Sequence, residues 1–233
     1  MAAKQKIEDA VILAGGLNSR ALPAAKAVPK TMLPLGMKPA LQLLVEECRA
    51  SGIKRIVVVA ANRRAAEIMR YHFTPSPELN SALKKRGKRK LLEELSRLET
   101  LCKFEFVSER TSLGEAHALL SARRALKGRP FAVLYGDTLF RSRVPALRQA
   151  IAQFRGRHVF SYARFVFKPE IFRTLRALNY RALYNKKENK GVSLPALAEQ
   201  FLLENEFTHF RARASAFNIG DAKSYKKAFN EFA

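Results

Sequence analysis

Between Leu13 and Lys30 the chain sets Gly15 and Gly16 ahead of three cations, Arg20, Lys26 and Lys30. Glycines let backbone amides come close to a phosphate or a base. Arg20 adds a permanently charged planar fork, and the two lysines add flexible ammonium groups. Together they suit a triphosphate, although a structural turn with solvated cations fits these features equally well. The spacing is not that of a P-loop, which needs Gly-Lys-Ser/Thr directly before a helix, nor that of the dinucleotide fingerprint. A second locus is Gly136-Asp137, just past an apolar run. A carboxylate there could hold Mg²⁺ bridged to phosphates. Asp also caps helices and turns, and taken alone that ordinary role is the stronger reading.

The surrounding pattern supplies elements to carry these residues. Ala10 to Leu13 is a short continuous apolar run bounded by Ala14-Gly15-Gly16, the profile of a buried parallel strand entering a tight turn. Pro39 to Ser51 has helical apolar spacing and stops at Gly52, and Ile56 to Ala60 is a second buried strand. Further strands are predicted at Phe104–Val107, Pro130–Tyr135, His158–Phe167 and Phe207–Ala216. Helices are predicted at Ala65–Tyr71, Gly114–Leu126, Val144–Phe154, Pro169–Leu178, Leu194–Asn205 and Tyr225–Phe232. Glu78–Leu101 reads as a helical hairpin or an interrupted helix. Strands alternating with helices argue an α/β sheet, mostly parallel, with ligands expected at the carboxyl ends of its strands. No linker or repeat divides the chain, so one domain over residues 1–233 is expected.

Composition narrows the partners. The 233 residues are 48% hydrophobic and 27% charged, a globular balance. Two cysteines, Cys48 and Cys102, exclude a disulfide scaffold and point to a reducing, cytoplasmic setting. No apolar run is long enough for a membrane span. The short run at Ala10–Ala14 follows Glu8 and Asp9, against a leader peptide. The net charge of +23 attracts polyanions at low salt. Lys84 to Lys90 holds six cations around Gly87, but no aromatic residues interleave to stack bases, so a solvated face is the preferred reading.

Leu13 to Pro39 reads LAGGLNSRALPAAKAVPKTMLPLGMKP. It resembles the opening signature of the sugar-phosphate nucleotidyltransferases, in particular the bacterial-type UTP–glucose-1-phosphate uridylyltransferases. Gly16, Arg20, Leu22, Pro23, Lys26, Pro29, Lys30, Met32, Leu33 and Pro34 match the pattern, while Asn18, Ser19 and Ala25 depart from it. The likeness continues through Lys38-Pro39, Ser51-Gly52-Ile53, Leu113-Gly114 with Ala116-His117-Ala118, Gly136-Asp137 and Phe217-Asn218-Ile219-Gly220-Asp221.

The resemblance implies a three-layer, Rossmann-like nucleotide-diphospho-sugar transferase fold, a mostly parallel mixed sheet with helices on both faces. A nucleotide-binding half would span 1–140 and a shortened sugar-binding half 141–233. The implied reaction joins a nucleoside triphosphate, UTP, to a sugar 1-phosphate, glucose 1-phosphate, with Mg²⁺ and release of pyrophosphate. Arg20 would hold the β and γ phosphates, Lys30 would stabilise the α-phosphate, and Lys26 would support it. Leu13, Ala14, Gly15 and Gly16 would read the base, with Glu109 in place of a base-reading glutamine and Gly114 beside the ring. A carboxylate accepts from a uracil N–H but cannot donate to a carbonyl. Asp137 would carry the metal, with Asn218 where the family has a second metal aspartate. The family's sugar-contacting segment looks absent, so Lys168-Pro169 is not its sugar-phosphate lysine. Homo-oligomers are common in the family. Three readings follow, in order of preference: an active transferase, a catalytically silent nucleotide-binding relative, and a nucleic-acid binder resting on charge alone. His117 is read as a packing or capping residue, the cysteines as small core residues, and Phe104, Phe106, Phe131, Phe165 and Phe167 as core aromatics.

Overall fold

A computed structural model describes residues 5–16, 19–109, 111–185, 191–197 and 207–233. Its strands are β1 Asp9–Ala14, β2 Pro34–Leu35, β3 Lys38–Pro39, β4 Arg55–Ala60, β5 Lys103–Ser108, β6 Phe131–Tyr135, β7 Thr138–Arg141, β8 His158–Ser161, β9 Arg164–Phe167, β10 Phe207–His209 and β11 Ser215–Asn218. Seven of them form one sheet in the order β10-β8-β9-β6-β1-β4-β5. The ladders β1–β4, β1–β6, β4–β5 and β8–β10 are parallel, whereas β6–β9 and β8–β9 are antiparallel.

Successive strand residues point to opposite faces, and the core follows that alternation. Ala10, Ile12, Ile56, Val58, Ala132 and Leu134 pack on one face with helices Ala40–Ala50, Arg63–Phe73, Ala146–Gln153 and Ala222–Phe232. Val11, Val57, Val59, Phe131 and Val133 pack on the other with helices Glu115–Ser121 and Ile171–Ala177. Both faces of the central strands are covered, which is why their sequence shows unbroken apolar runs. Cys48 is in the first of these layers, and Cys102 packs half-buried against it. Burial pushes the Cys102 thiol up to about 11. Among the described residues no helix is long and apolar enough to cross a membrane.

Several elements differ from the sequence expectation. His158–Phe167 is a hairpin, not one strand: β8 and β9 turn at Tyr162-Ala163, with Ala163 at φ 55°. Both arms are fully buried, so no polar alternation or glycine marks the reversal. Phe207–Ala216 divides between sheets: β10 joins the large sheet, while β11 pairs antiparallel with β7. Neither β7 nor the small β2–β3 hairpin was expected. Glu78–Leu101 resolves into a hairpin of helices, Pro77–Lys85 and Arg89–Glu99, with the basic stretch exposed around their turn at Gly87. Leu194–Asn205 is helical over residues 194–197, and its remainder lies outside the described residues.

Candidate active site

The carboxyl ends of β1, β5 and β6 open into one pocket of about 590 Å³. β1 delivers Leu13 and Ala14, followed by Gly15 and Gly16. β6 delivers Tyr135, then Gly136 and Asp137. The two strand ends are locked by the Gly136 amide, which donates to the Leu13 carbonyl at 2.9 Å. A Cβ on Gly136 would come within 2.6 Å of that carbonyl, so a side chain would force the strands apart.

The cations arrive on the long connection from β1 to β2. A 3-10 turn, Ser19–Ala21, carries Arg20, and a second, Lys30–Met32, carries Lys30; both line the pocket. Lys30 Nζ reaches Asp137 Oδ2 at 2.9 Å, across 107 positions of sequence. Arg20 lies near Gly220, whose added Cβ would sit 3.5 Å from its Nη2. Lys26 is placed elsewhere: it is exposed on the short helix Ala24–Ala27 and does not line the pocket.

The side chain of Asn218 is engaged with protein. Its Oδ1 accepts from the Gly220 amide at 2.6 Å, and its Nδ2 donates to Thr138 Oγ1 at 3.3 Å. Thr138 Oγ1 donates to Asp137 Oδ1 at 3.2 Å. Asn218 therefore reaches Asp137 through one threonine. Asp221 caps the last helix, accepting from the Ser224 amide and hydroxyl at 2.9 Å each. Those bonds hold its carboxyl below the usual range.

Past β5, Glu109 is buried in the pocket wall, with Oε1 at 2.9 Å from His117 Nδ1. Burial pushes its carboxyl up, against the lowering effect of His117. Gly114 starts the next helix at φ 102°, a backbone region that side chains avoid.

Four further lining residues were not singled out from the sequence. Tyr135 donates its hydroxyl to Glu115 Oε2, which also accepts from the Leu194 amide at 3.1 Å. Burial pushes both acids up: desolvation is the main cause for Glu115, and desolvation followed by the Glu115 charge for Tyr135. Thr31 is buried, and its Oγ1 has no hydrogen-bond partner among the described residues. Ser112 completes this set. A glutamate at a helix start reads as a favourable first-turn acid, so Glu115 gave no sign of the pocket; Thr31, beside Lys30, could have been flagged by position.

The pocket at the strand ends of this α/β sheet is glycine-rich and sets Arg20 and Lys30 among the carboxyl groups of Glu109, Glu115 and Asp137, at the place where such sheets take their ligands. The nucleotidyl transferase family profile matches residues 9–169, and the chain belongs to that family. It is similar to two UTP–glucose-1-phosphate uridylyltransferases of Bacillus subtilis. One, YngB, is 42% identical over 147 residues, 63% of this chain and 48% of the relative. The other is 37% identical over 150 residues, 64% of this chain and 51% of the relative. The chain thus spans about half the length of these curated relatives. In fold it matches a solved UTP-bound UGPase from Acinetobacter baumannii with TM-score 0.82 at 22% identity, covering 97% of this chain and 93% of that one.

Proposed function

We propose that this protein transfers a nucleotidyl group from UTP to glucose 1-phosphate, releasing pyrophosphate. The observation that carries the reading is the convergence of Arg20, Lys30 and Asp137 on one pocket beside the Leu13–Gly16 backbone. The names of the Bacillus subtilis relatives support the choice of substrates.

In the proposed reaction a phosphate oxygen of the sugar 1-phosphate bonds to the α-phosphorus. The bond from that phosphorus to the bridging oxygen breaks, and pyrophosphate leaves with the electron pair. Such transfers need positioning and charge neutralisation more than covalent help. Arg20 would grip the β and γ phosphates, and its fork suits two oxygens at once. Lys30 would stand against the α-phosphate, releasing Asp137 as it does so. Lys26 would contribute only long-range charge. Glu109 and Gly114 would border the base.

The residues fit a Mg²⁺ brought in with the nucleotide. Among the described residues no group of three or more His, Cys, Asp or Glu could hold a metal, but Mg²⁺ commonly uses one or two carboxylates with substrate phosphates. Asp137 would hold it, and bound there it would neutralise phosphate charge.

The test is pyrophosphate release with Mg²⁺, each nucleoside triphosphate in turn and a panel of sugar 1-phosphates. Release should require both UTP and glucose 1-phosphate and should fall by about 10²-fold or more in Lys30→Ala. The second reading is a nucleotide binder without transfer, favoured by the Asn218 oxygen being taken up by the Gly220 amide. Nucleotide binding with no release across the panel would establish that second reading and overturn the first.

A further inference from the structure

A second cavity, of about 440 Å³, lies at the opposite end of the sheet. Arg123, Arg124 and Arg129 border it, over an apolar floor of Leu126, Pro169 and the edge of Phe172, with the fully buried Phe131 behind. The Phe131 and Phe172 rings stack 5.5 Å apart at 16°. Phe131 opens β6 and pairs in register with Asp9, which opens β1. The far ends of these same two strands build the first pocket, so about five residues of strand, or about 16 Å, separate the two.

Buried charge fixes the wall of this cavity. The Asp9 carboxylate, 4% exposed, accepts from Arg55 Nε and Nη2 at 3.1 Å each and from Arg129 Nη2 at 3.3 Å. Arg55 also donates through Nη1 to the Ala125 carbonyl, the last residue of the 3-10 turn that carries Arg123 and Arg124. One aspartate therefore orients Arg129 directly and anchors the Arg123–Arg124 turn through Arg55. The guanidiniums of Arg123 and Arg124 have no hydrogen-bond or ion-pair partner among the described residues.

Two uncompensated guanidinium forks match phosphate oxygens, and an apolar floor in a cavity of this size suits the uncharged part of a small ligand. We propose that this cavity binds a small organic phosphate, with Arg123 and Arg124 on the phosphate and the floor of Leu126, Pro169 and Phe172 beneath its apolar part. The proposal stands apart from the transferase reading.

With a net charge of +23, attraction to anions alone would prove nothing, so the experiment separates charge from fit. Isothermal titration of the full chain in about 0.15 M salt screens exposed charges beyond about 8 Å. The probes are phenyl phosphate, inorganic phosphate and phenol. Phenyl phosphate should bind about tenfold or more tightly than either fragment. Its affinity should fall about tenfold or more when Arg123→Ala is combined with Arg124→Ala, and should persist in Lys30→Ala. Both arginines are exposed, so that double variant should fold, with an unchanged melting temperature as the check. Phe172→Leu tests the floor separately and should weaken phenyl phosphate without changing inorganic phosphate. Equal affinity for phosphate and phenyl phosphate would reduce the cavity to a patch of charge and overturn the proposal. Loss of binding in Lys30→Ala with retention in the arginine variant would assign the ligand to the first pocket, and absence of any heat would also overturn it.

Discussion

Glu109 and His117 meet at 2.9 Å, carboxylate to ring nitrogen, beside Gly15. The end of β5 delivers the glutamate, and the helix Glu115–Ser121 delivers the histidine, whose ring packs edge-on to Tyr180. His117 is thus a packing residue that also holds a pocket residue in place.

This pair makes a pH prediction. Burial raises the Glu109 carboxyl more than His117 lowers it. Between the ordinary glutamate value and the raised one, the folded chain binds more protons than the unfolded chain. The contribution of this group to stability therefore falls as pH rises through that window. Glu109→Gln keeps an acceptor for His117 and removes the ionisation. The variant should gain thermal stability over wild type as pH climbs through the window, and gain nothing below it. Paired melts from pH about 4 to about 8 check this; a gain independent of pH would rule out ionisation as the cause.

Arg164 is fully buried and grips Glu47 with two hydrogen bonds, Nε to Oε1 at 3.0 Å and Nη2 to Oε2 at 2.6 Å. The same guanidinium donates to the carbonyls of Ala163 and Thr138, and Glu47 accepts from the Leu147 amide. Glu47→Ala leaves this cation buried without its counter-charge and should cost about 3–5 kcal/mol in urea unfolding. Glu47→Leu combined with Arg164→Met should cost much less, because no charge then remains buried. Similar losses in both variants would mean that the packing, and not the charge, carries the effect.

At Gly114 a Cβ would stand 2.7 Å from the backbone of Gly191, and φ is 102°. The Ala116 amide donates to the Val192 carbonyl at 3.1 Å, so the two segments meet backbone to backbone. Gly114→Ala should cost about 1–3 kcal/mol from conformation alone, before the collision is counted. At about 2–4 °C per kcal/mol for a chain of this size, the fall is readable by calorimetry. Nucleotide binding should weaken in the same variant, because Ser112, Gly114 and Glu115 all line the pocket.

Tyr135→Phe tests the buried contact between the Tyr135 hydroxyl and Glu115. It removes one of the two donors to Glu115 Oε2 and leaves the Leu194 amide as the other. A buried acceptor that loses a partner costs about 1–3 kcal/mol. Adding Glu115→Gln to Tyr135→Phe should cost little more, since the amide needs less solvation than the carboxylate. A large further loss, measured by denaturant midpoint, would place the importance of Glu115 in some other contact.

The central strands were legible because their burial is a local property. Val57, Val58 and Val59 are apolar in succession since each face of β4 is covered. The β8–β9 reversal was not legible for the same reason: two buried strands in succession look like one. β7 was hidden behind Gly136-Asp137, where the chain turns out of the large sheet to pair with β11, nearly eighty residues later. The placement of Lys26 was equally hidden, for motif spacing says which residues share a loop and not which of them face inward.

By itself the sequence determined an α/β chain with strands ending in glycine turns, and it marked Gly15, Gly16, Arg20, Lys26, Lys30 and Asp137 as candidates to handle phosphate. Hydrophobic runs, glycines and charges are written locally, over a few residues, so they can be read without a fold. Tertiary structure alone decided that Lys30 lies 2.9 Å from Asp137, that Asn218 is linked to Asp137 through Thr138, and that Glu115 and Tyr135 join the pocket wall. It alone also formed the arginine-bordered cavity where β1 and β6 begin. These contacts join residues up to about a hundred positions apart. They depend on strand order and on which groups burial forces into partnership, and neither is encoded in any short stretch of chain.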